Sequence, residues 1–136
     1  MLQLAYISTA RQPVDAAYVD SILKASRLNN GRAGLTGLLV SGGRRFLQVL
    51  EGEPSALLQT YARITADPRH FAVVELIRRP IDRREFGDWA MAHQAGGRAG
   101  EGPNLRDEID RLVAPLGDPN LRAQFTGFAA LHARAA

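Results

Sequence analysis

The stretch Leu35-Thr-Gly-Leu-Leu-Val40-Ser-Gly-Gly-Arg44-Arg45-Phe-Leu-Gln48-Val-Leu50 contains two apolar runs, Leu35 to Val40 and Arg45 to Leu50, separated by Ser41-Gly42-Gly43-Arg44. Short apolar runs around a glycine pair read as a β-hairpin, because glycine adopts the backbone conformations that a tight reversal demands. Upstream, Leu2 to Ser8 alternates as a strand. Pro13 then suits the first turn of a helix with Val19, Ile22, Leu23 and Ser26 on one face, ending at Asn29-Asn30-Gly31. Downstream, Pro54 opens a helix carrying Leu57, Leu58, Tyr61 and Ile64 at helical spacing, and Asp67-Pro68 closes it. Phe71 to Ile77 follows as a strand, and Trp89 to His93 as a short last one. The order β-α-β-β-α-β-β predicts a ferredoxin-like α+β sandwich with one added strand.

Beyond residue 95 the chain changes character. Ala95-Gly-Gly-Arg-Ala-Gly-Glu-Gly102 is a flexible break, so residues 1–95 are expected to form one unit and 96–136 a linker with two helices. Asn104 can cap the first helix, which presents Leu105, Ile109, Leu112, Val113 and Leu116; Asp118-Pro119 starts the second, with Leu121, Phe125 and Phe128. Such short apolar helices need a partner surface, and the open face of the sheet is the obvious one.

Composition narrows the function classes. The chain has 136 residues, 46% hydrophobic and 23% charged, which suits a globular domain with a real core. Without cysteine there is no disulfide, thiolate ligand, cysteine nucleophile or covalent thiol–cofactor bond. Nothing reads as a signal peptide or membrane span, so a cytoplasmic location is expected. Net charge is +3, and the densest basic run, Arg78-Arg-Pro-Ile-Asp-Arg-Arg-Glu85, lacks the interleaved aromatics that stack bases. It is expected to be a solvated loop rather than a nucleic-acid surface. Glu51-Gly52-Glu53, at a strand end, is likewise expected to be exposed. His93 and His132 have no companions that would make a metal site.

Several polar residues sit where a plain core would be apolar. Tyr6 and Ser8 share parity with Leu2 and Leu4, and Gln48 shares it with Phe46 and Leu50, while Trp89, Met91 and His93 share parity on the last strand. If the first and third strands pair, Tyr6 and Gln48 lie side by side on one buried face. A buried amide left unmet costs about 1–3 kcal/mol, so something polar must meet Gln48. A single asparagine at a helix end is as readily a cap as a contact. Two in succession, Asn29 and Asn30, opposite that pair, point to a ligand. A flat heterocycle edged with N–H and C=O groups would suit them, with Ile22 and Ile64 above and below its faces.

At these residues the sequence resembles the BLUF family of blue-light sensors using flavin. The pieces are Tyr6-Ile-Ser8, Ser26-Arg-Leu-Asn-Asn30, Gly34-Leu-Thr-Gly-Leu-Leu39, Phe46-Leu-Gln48-Val-Leu-Glu-Gly52, Asp67-Pro-Arg-His70 and Phe86-Gly-Asp-Trp89-Ala-Met91. They stand in order over the first two-thirds of the chain. The resemblance implies that Tyr6 gives an electron and then a proton to the excited flavin, and that Gln48 bridges Tyr6 and the ring. It implies that Asn30, with Asn29 beside it, holds the polar edge and that Ile22 and Ile64 sandwich the ring. Arg63, Asp67, Arg69 and His70 match positions around the ring, ribityl chain and phosphate. Trp89 and Met91 match last-strand residues next to the glutamine. FAD is the implied cofactor, with FMN the alternative; the implied output is a downstream protein in trans, and the chain is expected to be a homo-oligomer and no enzyme. The C-terminal helices lie outside the motifs and resemble those of the short, stand-alone members. The competing readings are a small enzyme on the same fold and a ligand-free interaction module, against the first of which no nucleophile–base pair or metal cluster stands out.

Overall fold

Among the described residues the elements follow one another as β1 (Leu2–Ala10), α1 (Ala16–Ala33), β2 (Thr36–Gly42), β3 (Arg45–Gly52), α2 (Pro54–Ala66), β4 (His70–Pro80), β5 (Ala92–Ala95) and α3 (Pro119–His132). They come from a computed structural model, which describes residues 1–11, 16–42, 44–86, 92–95, 109–111, 113–114 and 116–132. The strands form a single sheet in the order β4-β1-β3-β2-β5. Its first four strands are antiparallel neighbours, the ferredoxin-like arrangement, and β5 is added parallel to β2 at the edge. The hairpin is the one expected, with Leu38 opposite Val49 and Leu39 opposite Gln48. Gly37 permits the close approach of β2 to β3, since a Cβ there would collide with the Val49 carbonyl oxygen.

The pleat splits the core in two. On one face Leu4, Tyr6, Leu39, Phe46 and Leu50 pack with Leu35 and Leu57 beneath α1 and α2. On the other, Ala5, Leu38, Val40, Leu47 and Val49 pack against Ile109, Val113, Leu116, Leu121, Phe125 and Phe128. The C-terminal segment thus covers the open face, as its apolar periodicity requires. Asp118 starts α3 by accepting the Asn120 and Leu121 amides on Oδ1 (2.8 and 3.0 Å).

Four expectations need correction. α1 does not stop at Asn29-Asn30; it runs on to Ala33, and Gly34, at φ +70°, makes the left-handed exit. The last strand runs past His93 to Ala95, and Ala92–Ala95 is its described part. Glu51 is completely buried, because the C-terminal face of β3 is covered; only Glu53 is exposed. The basic run is not a loop throughout, since Arg78 to Pro80 belong to β4 and Arg79, Arg84 and Glu85 are half-buried. Trp89, Met91, Pro13, Asn104, Leu105, Leu112, the segment 96–102 and the side chains of Val19, Leu23, His93 and His132 lie outside the described residues.

Candidate functional site: a cleft between two helices

β1 and β3 pair with Tyr6 directly opposite Gln48. Both side chains are 4% exposed, and the Tyr6 hydroxyl donates to Gln48 Oε1 in a short hydrogen bond. Burial pushes the Tyr6 phenol well above its ordinary value, reinforced by Tyr61 and Asp67 nearby. The phenol therefore stays protonated at neutral pH, a donor with its O–H directed at the amide oxygen.

A cleft opens above this pair, between α1 and α2, with about 830 Å³ of space between atoms when its mouth is included. It is open to solvent and lined by polar as well as apolar side chains, as ligand clefts are. Ile22 faces it from α1 and Ile64 from α2, both half-buried; Asn30 is 2% exposed, whereas Asn29 is exposed at the rim. Because α1 continues past Asn30, that residue projects from a helix wall instead of capping an end. Its backbone carbonyl still serves the chain exit, accepting the Leu35 amide at 2.8 Å.

The α2 exit builds the opposite wall. Arg69 wraps Asp67 with its backbone N–H at 2.9 Å and with side-chain bonds at 2.6 to 3.0 Å. Those side-chain bonds hold the Asp67 carboxyl below the ordinary range and raise Arg69 in turn. Tyr18 reaches across from α1 to donate its hydroxyl to the Arg69 carbonyl at 3.0 Å. His70 lies with Nε2 against the Ile64 carbonyl and Nδ1 2.9 Å from Ser8 Oγ. A carbonyl can only accept, so Nε2 carries the proton, and in the neutral ring Nδ1 accepts from Ser8. A bulge makes that contact available. β4 places Val74 opposite Ile7 but Phe71 opposite Thr9, with Ala72 at φ +54°. Arg63 stands exposed at the mouth, its guanidinium 3.3 Å from Thr60 Oγ1.

All ten residues expected around a ligand, Tyr6, Ile22, Asn29, Asn30, Gln48, Arg63, Ile64, Asp67, Arg69 and His70, line this one cleft. Tyr18, Ala25 and Thr60 line it too and were missed. Their signal was periodicity: Tyr18 precedes Ile22, and Thr60 precedes Ile64, by one helical turn. Among the described residues no cluster of His, Asp and Glu could hold a metal ion, and no helix is long and apolar enough to cross a membrane.

Fold and cleft together define a class: a ferredoxin-like domain with a buried phenol–amide pair at the floor of a ligand-sized cleft. Comparison with known proteins gives that class its family. The family model for BLUF, sensors of blue-light using FAD, matches residues 1–92. The photoactivated adenylate cyclase subunit beta of Euglena longa is 30% identical over 111 residues, 81% of this chain but 13% of that protein. Subunit alpha from Euglena gracilis is 33% identical over 91 residues, 65% of this chain and 9% of its own. Among solved structures, the dark state of BlrB, a BLUF protein, superimposes with a TM-score of 0.73 at 32% identity over 96% of both chains. Klebsiella pneumoniae BlrP1, in a manganese and cyclic-diGMP complex, gives 0.78 at 34% identity, covering 96% of this chain and 33% of BlrP1. The chain belongs to the BLUF family of flavin-binding blue-light sensors. It spans only 13% and 9% of those two cyclase subunits, and the part it matches is described as a sensor of blue light.

The cleft fits a flavin on chemical grounds. An isoalloxazine is flat and apolar on its faces, matching Ile22 and Ile64, and its edge carries N–H and C=O groups that amides such as Asn30 and Gln48 complement.

Proposed function

We propose that the chain is a photoreceptor that holds FAD in this cleft and reports blue light through a rearrangement of the Tyr6–Gln48 pair to a separate protein. The observation that carries the reading is the buried, hydrogen-bonded juxtaposition of Tyr6 and Gln48 beneath the cleft. In this reading Ile22 and Ile64 clamp the ring, and Asn30, with Asn29 at the rim, holds its polar edge. Arg63, Arg69 and His70 surround the tail and its phosphates, with Asp67 fixing Arg69. FAD is preferred to FMN here because the matching family is described as sensors using FAD. Trp89 and Met91 follow in the sequence as the residues proposed to respond to Gln48.

When bound, a flavin supplies absorption of blue light and, while excited, a strong but brief oxidising power. Tyr6 is the group placed to give up an electron and its phenolic proton and to take both back. Nothing is gained or lost over the cycle. What persists is Gln48, whose amide is left with donor and acceptor exchanged relative to its neighbours. No protein–ligand covalent bond is involved, in keeping with a chain that lacks cysteine. One rearranged hydrogen bond is worth about 0.5–1.5 kcal/mol, against about 5.5 kcal/mol for a full two-state reversal. The output is therefore a modest population shift, amplified in a homo-oligomer or by a partner. In this scheme residues 1–95 sense, residues 96–136 transmit, and the protein works in the cytoplasm.

The test is a light-minus-dark absorption spectrum of the purified protein, with the released flavin identified by chromatography. A yellow protein with a small, reversible red shift is expected. Colourless protein that takes up no added flavin would end the proposal.

A further inference from the structure

Three residues beyond Gln48, and therefore on the opposite face of β3, the completely buried Glu51 carboxylate receives four hydrogen bonds. Oε1 accepts the Thr36 hydroxyl at 3.1 Å and the Phe86 amide at 2.7 Å; Oε2 accepts Gln3 Nε2 at 3.4 Å and the Glu85 amide at 3.0 Å. All four donors are neutral. The set suits a carboxylate, which accepts at both oxygens and donates at neither. Two of those donors are consecutive backbone amides of the connection that leaves β4 toward β5. The Glu85 side chain continues outward, its Oε2 accepting the Gly117 amide at 2.6 Å, immediately before α3. Arg84 braces the same connection from the other side, donating to the Gly34 carbonyl at the α1 exit (2.6 Å) and to the Glu51 carbonyl (3.1 Å).

We infer that Glu51 is a positioning residue for signal transmission: it latches the β4–β5 connection and, through Glu85, the start of α3 to the strand that carries Gln48. This rests on the light-sensor reading above. A shift of β3 at Gln48 need not cross the sheet by diffuse packing, because the far side of the same strand grips two amides of the connection. The neighbouring ladder pairs, Gln3 opposite Glu51 on β1 and Thr36 opposite Glu51 on β2, fix the carboxylate so that strand and connection move together.

Glu51→Gln is the direct test, because its NH2 group would face a backbone N–H, of Phe86 or of Glu85, wherever it is placed. In the dark, hydrogen exchange at the Glu85 and Phe86 amides should quicken about tenfold or more in that variant. Flavin content and the size of the red shift should be unchanged, since neither depends on this face. The light-minus-dark exchange difference over 117–132 should fall at least about threefold. A merely structural role would lower the melting temperature and leave that difference in place. Glu85→Gln gives a second variant, which keeps both backbone bonds to Glu51 but weakens what the Glu85 carboxylate holds, the Gly117 amide, Arg79 and Gln3; exchange at the Gly117 amide should quicken and the same light response should be lost. It alone decides the matter if Glu51→Gln does not fold. Full transmission to α3 in the folded variants, or a wild type that shifts its spectrum without any exchange change in α3, overturns the latch alone. A wild type with no red shift overturns the sensor reading and the latch with it.

Discussion

β1 and β3 carry two buried polar pairs, Tyr6 opposite Gln48 and Gln3 opposite Glu51, three residues apart and so on opposite faces of one ladder. The first lies at the floor of an open cleft. The second is enclosed by donors from the chain itself, with Thr36, Glu85 and Phe86 completing it. Both obey the same rule, that a buried polar group must be met. They differ in what covers them. Under a cleft, such a pair is placed to bond something that arrives from outside; closed over by a neighbouring strand and the β4–β5 connection, it ties the fold together.

The largest effect should come from breaking the cleft-side pair. Tyr6→Phe and Gln48→Leu are each expected to retain flavin and to abolish the light-induced red shift altogether. A difference spectrum decides it, and a full-size shift in either would remove that residue from the mechanism. On the covered side, Phe125→Ala empties a fully buried site in the cluster above Leu38 and Val49. It should cost about 3–5 kcal/mol in urea unfolding and leave the red shift of the folded fraction intact. If the shift vanished with the stability, the two faces would not be separable.

Smaller effects sharpen the comparison. Asn30→Ala removes a buried amide from the cleft wall and should weaken flavin binding about tenfold, the equivalent of one hydrogen bond. Titration of flavin into the apoprotein measures it, and unchanged affinity would reduce Asn30 to wall packing. The smallest effect is acid-dependent. Asp67 is held below its ordinary range by Arg69, so its contribution to stability is present above the unfolded carboxyl's range and is lost as pH falls through the lowered folded value. The melting-temperature gap between wild type and Asp67→Asn should therefore be constant from about pH 8 to 5 and close in stronger acid. A gap that persisted there would mean that packing rather than charge sustains it.

Much of this was legible in the sequence because strand parity is strict. Alternation alone put Tyr6 and Gln48 on one face, and helical spacing turned Ile22 and Ile64 to the same cleft. What parity cannot say is which element covers a face. Glu51 looked like an exposed strand end because its donors come from Thr36 and from the backbone at Glu85 and Phe86, about 15 and 35 positions away, with no local signature. The end of α1 was misplaced for a different reason. Asn29-Asn30-Gly31 carries stop signals, yet the helix continues and exits at Gly34, where the left-handed conformation is actually adopted. Local propensity proposed a boundary there and tertiary packing moved it by one turn.

The irregularity of β4 bears on how copies of this chain can meet. As the outermost strand it exposes Phe71 and Val74, the kind of margin that invites another strand to add on. Its two register breaks and the left-handed Ala72 interrupt the run of amides and carbonyls that another strand would extend. Growth into fibres from that margin is thereby discouraged.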